Sequence, residues 1–131
     1  MLNRCPVVHF EMPYDDVGRV SKFYERVFGW TMNPLGPESN NYVLAETTET
    51  EDGRPTMPGR INGGLFPRHP ERPAQTPLMV IGVEDIRAAM AGVEGAGGKV
   101  FGEPDLIPNF GLYVAFQDCE GNPAAMLQPT V

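Results

Sequence analysis

The sequence carries one order of elements twice, and this internal repeat restricts the fold more than any other feature. In the first half, an apolar stretch at Val7–Met12 precedes an acidic start and a helix-period run that ends at Gly29. In the second half, an apolar stretch at Leu78–Val83 precedes another acidic start and a helix-period run that ends at Gly97-Gly98. Further apolar stretches follow each run, beginning with Val100-Phe101 in the second half, so each half predicts the order strand, helix, strand, strand, strand.

Length and composition place this repeat within one domain. The chain has 131 residues, of which 41% are hydrophobic and 21% are charged, as in ordinary globular proteins. We therefore predict a single α+β domain over 1–131, with one βαβββ unit at about 1–67 and a second at about 77–131. The curved mixed sheets of the two units are predicted to enclose a cavity.

The charge and the cysteines restrict the partners and the location. A net charge of -7 argues against nucleic acid and anionic membrane as partners. No run is long and apolar enough to span a bilayer, and the start of the chain lacks the pattern of a signal peptide. Cys5 and Cys119 have no metal-binding spacing, so we expect two reduced thiols in a cytoplasmic protein. A catalytic thiol remains an alternative, although neither cysteine lies at an evident helix N-terminus.

The first strand has two different faces. Val8, Phe10 and Met12 alternate with His9 and Glu11, and this period of two is typical of a strand. The apolar face is expected to pack on a helix, so His9 and Glu11 should point away from that helix.

The first helix is predicted from an apolar stripe at steps of three and four residues. Asp15 or Asp16 can cap its start, and Gly29 can adopt the left-handed conformation at its end. Strands are predicted at 41–46 and 61–66, with a long polar hairpin loop between them and a Pro-rich linker at 67–77. A final hairpin is predicted over 111–128, and the glycines at 63 and 64 indicate a bulge or a close backbone approach.

With this order of elements, several local strings resemble the vicinal oxygen chelate superfamily, which includes glyoxalases, bleomycin-resistance proteins and extradiol dioxygenases. The matching strings lie on the first strand, on the first helix, near residue 63 and before the last strand: Val7-Val8-His9-Phe10-Glu11, Lys22–Trp30, Ile61–Phe66 and Asp118–Asn122. The resemblance covers nearly the whole chain. It implies the fold but not one activity, because this fold hosts lyases, dioxygenases, epimerases and drug binders.

The resemblance also implies where a metal would bind. Metal-dependent members take ligands from strands one, four, five and eight. The first-strand position falls on His9, but the fifth-strand position falls near Leu78 and the eighth-strand position near Ala125, neither of which is a ligand. The fourth-strand stretch offers only Asn62. Because a divalent ion needs several N or O donors, we expect no resident metal.

His9 and Glu11 are the tentative catalytic candidates. A neutral imidazole can donate and accept a hydrogen bond at once, and Glu11 would raise the basicity of His9 if both are desolvated. His9 can also line a cavity through a hydroxyl or Glu11, bind a metal, or be purely structural. The expected ligand-binding residues are His9, Glu11, Trp30, Tyr42, Phe66, Leu78, Tyr113 and Ala125. For each of the four aromatic residues among them, core packing is the plainer interpretation.

These observations favour a metal-independent protein that binds a partly apolar small molecule, as a sequestering binder or as an enzyme, and they leave catalysis open. The alternative is a divalent-metal lyase or dioxygenase that uses His9 as a ligand. A third class, a structural dimerisation module, would need a filled cavity. A homodimer is expected, because a one-domain chain leaves sheet edges to cover.

Overall fold

A computed structural model describes residues 4–130. Residues 1–3 and residue 131 lie outside the description, and with them part of the predicted chain start and the outer limits predicted for the two units. It contains two α-helices, a short 3-10 helix at Pro37–Ser39 and ten strands. The helices are α1 at Val17–Phe28 and α2 at Ile86–Gly95. The strands are β1 (Val7–Tyr14), β2 (Thr31–Pro34), β3 (Val43–Glu46), β4 (Thr50–Glu51), β5 (Arg54–Pro55), β6 (Gly63–Pro67), β7 (Leu78–Gly82), β8 (Lys99–Ile107), β9 (Gly111–Gln117) and β10 (Pro123–Pro129). The predicted α+β class is confirmed.

Eight of the strands form one mixed sheet in the order β2-β3-β6-β1-β7-β10-β9-β8. The order within each half is the same, because the first strand of each unit pairs in parallel with the last strand of that unit. The halves meet where β1 and β7 run antiparallel, with Glu11 opposite Leu78 and His9 opposite Val80. This seam brings the N-terminal strands of both units to the centre of the sheet.

The two helices begin with the same cap. The Asp16 side chain accepts a hydrogen bond from the backbone N–H of Arg19, and Asp85 accepts one from Ala88. At the end of α1, Gly29 adopts the left-handed conformation with φ 69°, as predicted.

Both helices cover the same face of the sheet, which we call the helix face. Under α1 the core contains Val43, Ala45 and Leu65, with Phe10 and Met12 packed against it. Under α2 a second core contains buried side chains from β9, β10, the helix and the segment between β7 and the helix: Val83, Ile86, Val114, Phe116, Ala124 and Met126. A third cluster of Leu78, Val80 and Ala125 lies on the other face, which we call the site face.

Three local predictions need correction. Asn41 does not begin the third strand: Asn40 and Asn41 are left-handed, with φ of 54° and 58°, and the strand starts at Val43. The predicted hairpin loop contains the small β4–β5 hairpin. β8 extends well beyond Val100-Phe101, because a register shift between Phe101 and Asp105 accommodates the intervening glycine and proline.

Within residues 4–130, neither helix has the length and apolar character needed to cross a membrane.

Candidate functional site

Glu11 lies at the centre of the site face. On β1, Phe10 and Met12 pack into the helix-face core, so His9 and Glu11 project to the other side, as the alternation predicts. Glu11 is paired with Leu78 of β7 on one side and with Gly64 of β6 on the other. Only 7% of Glu11 is exposed, and among residues 4–130 it is the one charged residue that is buried.

Two tyrosines, one from each unit, hold the Glu11 carboxyl group. The Tyr42 hydroxyl donates to Oε2 at 2.7 Å, and the Tyr113 hydroxyl donates to Oε1 at 2.5 Å. Tyr42 directly precedes β3, and Tyr113 is the third residue of β9. The sequence places these tyrosines in matching positions of the two units, and the structure shows one explanation for both: each binds the same carboxyl group.

Tyr42 is fixed by the glycine beneath it and by the turn before it. A Cβ atom on Gly64 would overlap the Tyr42 hydroxyl and ring, so the ring occupies the space that a side chain would take. The backbone N–H of Tyr42 donates to Ser39 at 3.0 Å, and its carbonyl accepts from Leu35 at 2.9 Å. Side-chain rings, and not a bulge or a second backbone, thus explain the glycine pair, since Gly63 likewise accommodates the Phe10 ring.

His9 extends this cluster by one hydrogen bond. Its Nε2 lies 3.1 Å from the Tyr42 hydroxyl oxygen. Because the single hydroxyl proton of Tyr42 is donated to Glu11, Nε2 must carry the proton that joins His9 to Tyr42. The neutral ring then has its hydrogen on Nε2 and a lone pair on Nδ1.

Burial shifts the pKa of every member of the cluster. Desolvation lowers the pKa of His9 from 6.5 to about 4, so its ring is neutral near pH 7. The predicted increase in His9 basicity is therefore wrong, because desolvation lowers the pKa of the ring instead. Burial raises the pKa of Glu11, while the hydrogen bonds from Tyr113 and Tyr42 oppose the increase. Burial first, and then the Glu11 charge, raise the pKa of both tyrosines, which stay protonated.

The structure brings most of the predicted lining residues to this face. Leu78 and Ala125 are buried there, with Tyr113 packed against them. Phe66 is half-buried and shares the side of β6 on which Gly64 lies, since Gly63 and Leu65 face the helices. Val80, which was not among the predicted lining residues, is 1% exposed beside Ala125.

Trp30 is the exception, because it does not lie on the site face. Its ring stacks on Tyr24 of α1 with centroids 4.6 Å apart and also contacts Phe10 at 5.5 Å. Trp30 is therefore not part of the lining for which it was a candidate, and the plainer interpretation of core packing holds: it packs between β1 and α1 in the helix-face core.

The side chains on this face do not fit a divalent metal. Among residues 4–130, no three His, Cys, Asp or Glu side chains are grouped so that they could hold an ion. Gly64, Leu78 and Ala125 around His9 carry no donor atoms in their side chains, and Asn62 is engaged by Thr47 and Thr50 of the hairpin. Besides His9, the other side chain at this place that could donate to a metal is Glu11, and both carboxyl oxygens of Glu11 already accept hydrogen bonds from tyrosines.

Two surface depressions lie away from this cluster. One of about 420 Å³ is formed by the β4–β5 hairpin and is widely open to solvent. Another of about 200 Å³ lies between the start of α1 and the 3-10 turn, lined by Tyr14, Val17, Pro34, Gly36, Asn41 and Pro67. Neither of these two depressions is lined by His9 or Glu11.

Sequence comparisons find two similarities. Residues 7–48 match the family described as bleomycin resistance protein-like N-terminal, a segment that contains His9, Glu11 and Tyr42. A glyoxylase-like domain-containing protein of Didymella fabae is 31% identical over 119 residues, which cover 88% of each chain.

Solved structures show the same fold at lower identity. Methylmalonyl-CoA epimerase of Streptomyces coelicolor, in complex with 2-nitronate-propionyl-CoA, superposes with a TM-score of 0.66 at 16% identity, covering 95% of this chain and 97% of the epimerase chain. The hypothetical protein BH1468 of Bacillus halodurans gives a TM-score of 0.66 at 15% identity, with coverage of 98% and 97%. Methylmalonyl-CoA epimerase of Mycobacterium tuberculosis gives 0.66 at 13% identity, with coverage of 100% and 94%.

Proposed function

The chain belongs to the glyoxylase-like domain proteins of the vicinal oxygen chelate superfamily, and from this premise we propose that it binds a small molecule on the site face without a metal ion. The ligand's polar group would meet Glu11 and His9, and its apolar part would lie against Leu78, Ala125 and Phe66. Catalysis is not needed for this function.

The single observation that carries the proposal is the buried Glu11 carboxyl group. Removing a carboxylate from water is costly, and here two neutral hydroxyls offset the cost in place of a cation. A cost of this kind at the centre of a sheet face is typical of functional sites. The complex of the Streptomyces epimerase with a CoA ester supports a ligand role for this fold.

A ligand screen with a blocking variant tests the proposal. Ala115 is half-buried and pairs with Ala125, so its side chain lies on the site face, and Ala115→Trp would fill the space above Ala125. Ala125 itself is fully buried and would overpack. Ala91→Trp, on the exposed surface of α2, is the matched control.

We expect ligands that raise the melting temperature of the wild-type and Ala91→Trp proteins to lose their effect on Ala115→Trp. Ligands that bind all three proteins equally would place the site elsewhere and refute the proposal.

Metal independence is tested separately by elemental analysis of protein purified without added metal. We expect no stoichiometric Zn, Ni, Fe or Mn, because His9 lacks partner ligands. One equivalent of metal that is lost in His9→Ala would instead support the divalent-metal alternative.

We also propose that the chain forms a homodimer, and the surface of α1 supports this. No residue of α1 is buried, and Phe23, Val27 and Phe28 are 53%, 56% and 59% exposed. Such adjacent apolar side chains are suited to an interface between two copies. Light scattering at micromolar concentration should give a dimer mass that Phe23→Glu reduces; a monomer mass for the wild-type chain would contradict the proposed dimer.

The cytoplasmic location expected from the reduced thiols stays part of the proposal.

A further inference from the structure

We propose that the ligand of the site face is a small organic cation, such as a protonated primary amine, whose ammonium group binds between Glu11, Tyr42 and Tyr113. This inference rests on the proposed function and adds the chemical class of the ligand.

The charge of the site is the first argument. The ion pairs of the described residues join Arg68 to Asp15 and Arg87 to Glu103, and neither includes Glu11. His9 does not supply the missing charge, because its ring is neutral near pH 7. The site therefore holds a buried acid without a cationic partner, and a ligand ammonium would provide one.

The hydrogen-bonding capacity of the cluster is the second argument. A carboxylate has about four acceptor positions, and the tyrosines occupy one on each oxygen of Glu11. The remaining positions on the Glu11 carboxylate are also acceptors, so a ligand must supply hydrogen-bond donors to fill them. His9, which uses its Nε2 hydrogen on Tyr42, offers Nδ1 as a further acceptor. An ammonium group brings three donors and no acceptor, which matches this set.

The surrounding side chains are the third argument. The hydroxyl groups of Tyr42 and Tyr113 come from opposite halves of the sheet and converge on one carboxyl group. Because Tyr113 donates its single hydroxyl proton to Glu11, its oxygen keeps lone pairs that can accept from an ammonium N–H. The half-buried side chains of Tyr113 and Leu127, which pack on the buried Leu78 and Ala125, provide an apolar wall for an alkyl substituent. An anionic ligand would meet the like charge of Glu11 with no cation to compensate.

Three branched four-carbon compounds of similar size separate the effect of charge from that of size: isobutylammonium, isobutanol and isobutyrate. Each would be titrated at constant ionic strength into the full chain labelled with ¹⁵N, with amide shifts on β1, β7 and β9 as the readout. Isobutylammonium should bind the unmodified chain at least about tenfold more tightly than isobutanol, and isobutyrate should not bind.

Glu11→Gln keeps the shape of the side chain and removes its charge, and should weaken isobutylammonium binding by about tenfold. Glu120→Gln, in the exposed turn before β10, is the matched control and should leave the affinity unchanged. The comparison of the three compounds on the unmodified chain does not require the variant to fold.

Equal or tighter binding of isobutanol or isobutyrate, absence of isobutylammonium binding, or amine binding that Glu11→Gln leaves intact would overturn the inference. A neutral or anionic ligand from the screen that Ala115→Trp blocks would still uphold the proposed function, so the two failures are distinguishable.

Discussion

The two units share a backbone plan but differ in the side chains that they bring to the seam. In the first unit Met12 pairs with Leu65, and in the second Ile81 pairs with Met126, so Glu11 and Val80 occupy equivalent positions. By the same register, His9 corresponds to Leu78. The polar pair of the first unit is thus an aliphatic pair in the second, which shows that the repeat specifies the scaffold and not the chemistry.

The tyrosines did not diverge in the same way. Tyr42 and Tyr113 precede the equivalent residues Val43 and Val114, which pair with Leu65 and Met126. Two equivalent hydroxyls therefore converge on one carboxyl group that has no counterpart in the second unit. A site of this kind requires both units, although only one of them provides the acid.

The residues beneath the tyrosines also differ. Gly64 leaves room for the Tyr42 ring, whereas its equivalent Ala125 carries a methyl group in the cluster against which Tyr113 packs. The first unit therefore holds its tyrosine against the sheet more closely than the second.

Making the second unit acidic should have the largest effect. Val80→Glu places a carboxyl group at a position that is 1% exposed, near Glu11 and without its own tyrosine donors. We expect a loss of about 4 kcal/mol in the free energy of unfolding, measured by urea denaturation. Met79→Glu, on the same strand but at a side chain that is 49% exposed, is the control and should change it by less than about 0.5 kcal/mol. Equal losses of stability in the two variants would contradict the assignment of Val80 to the buried position equivalent to Glu11.

Replacing the glycine beneath Tyr42 by alanine, as in the second unit, should have the next largest effect on stability. Gly64→Ala forces the Tyr42 ring away from the sheet and weakens its bond to Glu11. We expect a loss of about 3 kcal/mol by urea denaturation. Gly92→Ala, in α2 with no atom near the added methyl group, should instead be neutral or stabilising. A Gly64→Ala protein as stable as the wild type would show that the ring can move freely.

Removing the hydroxyls one at a time compares the two halves directly. Tyr42→Phe removes a partner from both Glu11 and His9, whereas Tyr113→Phe removes one from Glu11 only. We expect losses of about 2 and about 1 kcal/mol, respectively, in thermal or chemical unfolding. Tyr24→Phe, whose hydroxyl makes a long contact with the sulfur of Met12, controls for loss of a phenol. The reverse order for the two site tyrosines would mean that the second unit holds the carboxyl group more firmly.

Neutralising the acid should have the smallest effect, and its sign depends on pH. Since burial raises the pKa of Glu11, its contribution to stability is present below its ordinary value of 4.5 and is lost as pH rises through the folded-state pKa. Glu11→Gln should therefore be more stable than the wild type by about 1 kcal/mol near pH 8, and this advantage should vanish toward pH 4.

His9 acts in the opposite direction, because its contribution is present above 6.5 and is lost as pH falls through about 4. It is common to both proteins and cancels in their difference. A stability difference that does not change with pH would refute the raised pKa of Glu11.

The faces of the strands could be predicted from the sequence, because alternation along β1 depends only on backbone geometry. It correctly assigned Phe10 and Met12 to the helices and His9 and Glu11 to the other side. The caps at Asp16 and Gly29 were predictable for the same local reason. The matching positions of the two tyrosines were also visible.

The convergence of the tyrosines on Glu11 could not be predicted, because it depends on the curvature that brings distant strands together. The pKa of His9 was misjudged, since the balance between desolvation and the neighbouring charge depends on depth of burial. Trp30 was misplaced because it lies before β2, where alternation gives no reference for its side. The length of β8 was missed because Gly102 and Pro104 resemble strand breakers, although the register shift accommodates them.

The separation in sequence between Glu11 and its two donors has a consequence for folding. Tyr42 is 31 residues away, but Tyr113 is 102 residues away, near the end of the chain. During synthesis the first unit is complete while β9 has not yet been made, so the acid remains in water with one of its hydroxyls absent. We therefore expect the cluster to close only after the second unit docks along β7, late in folding.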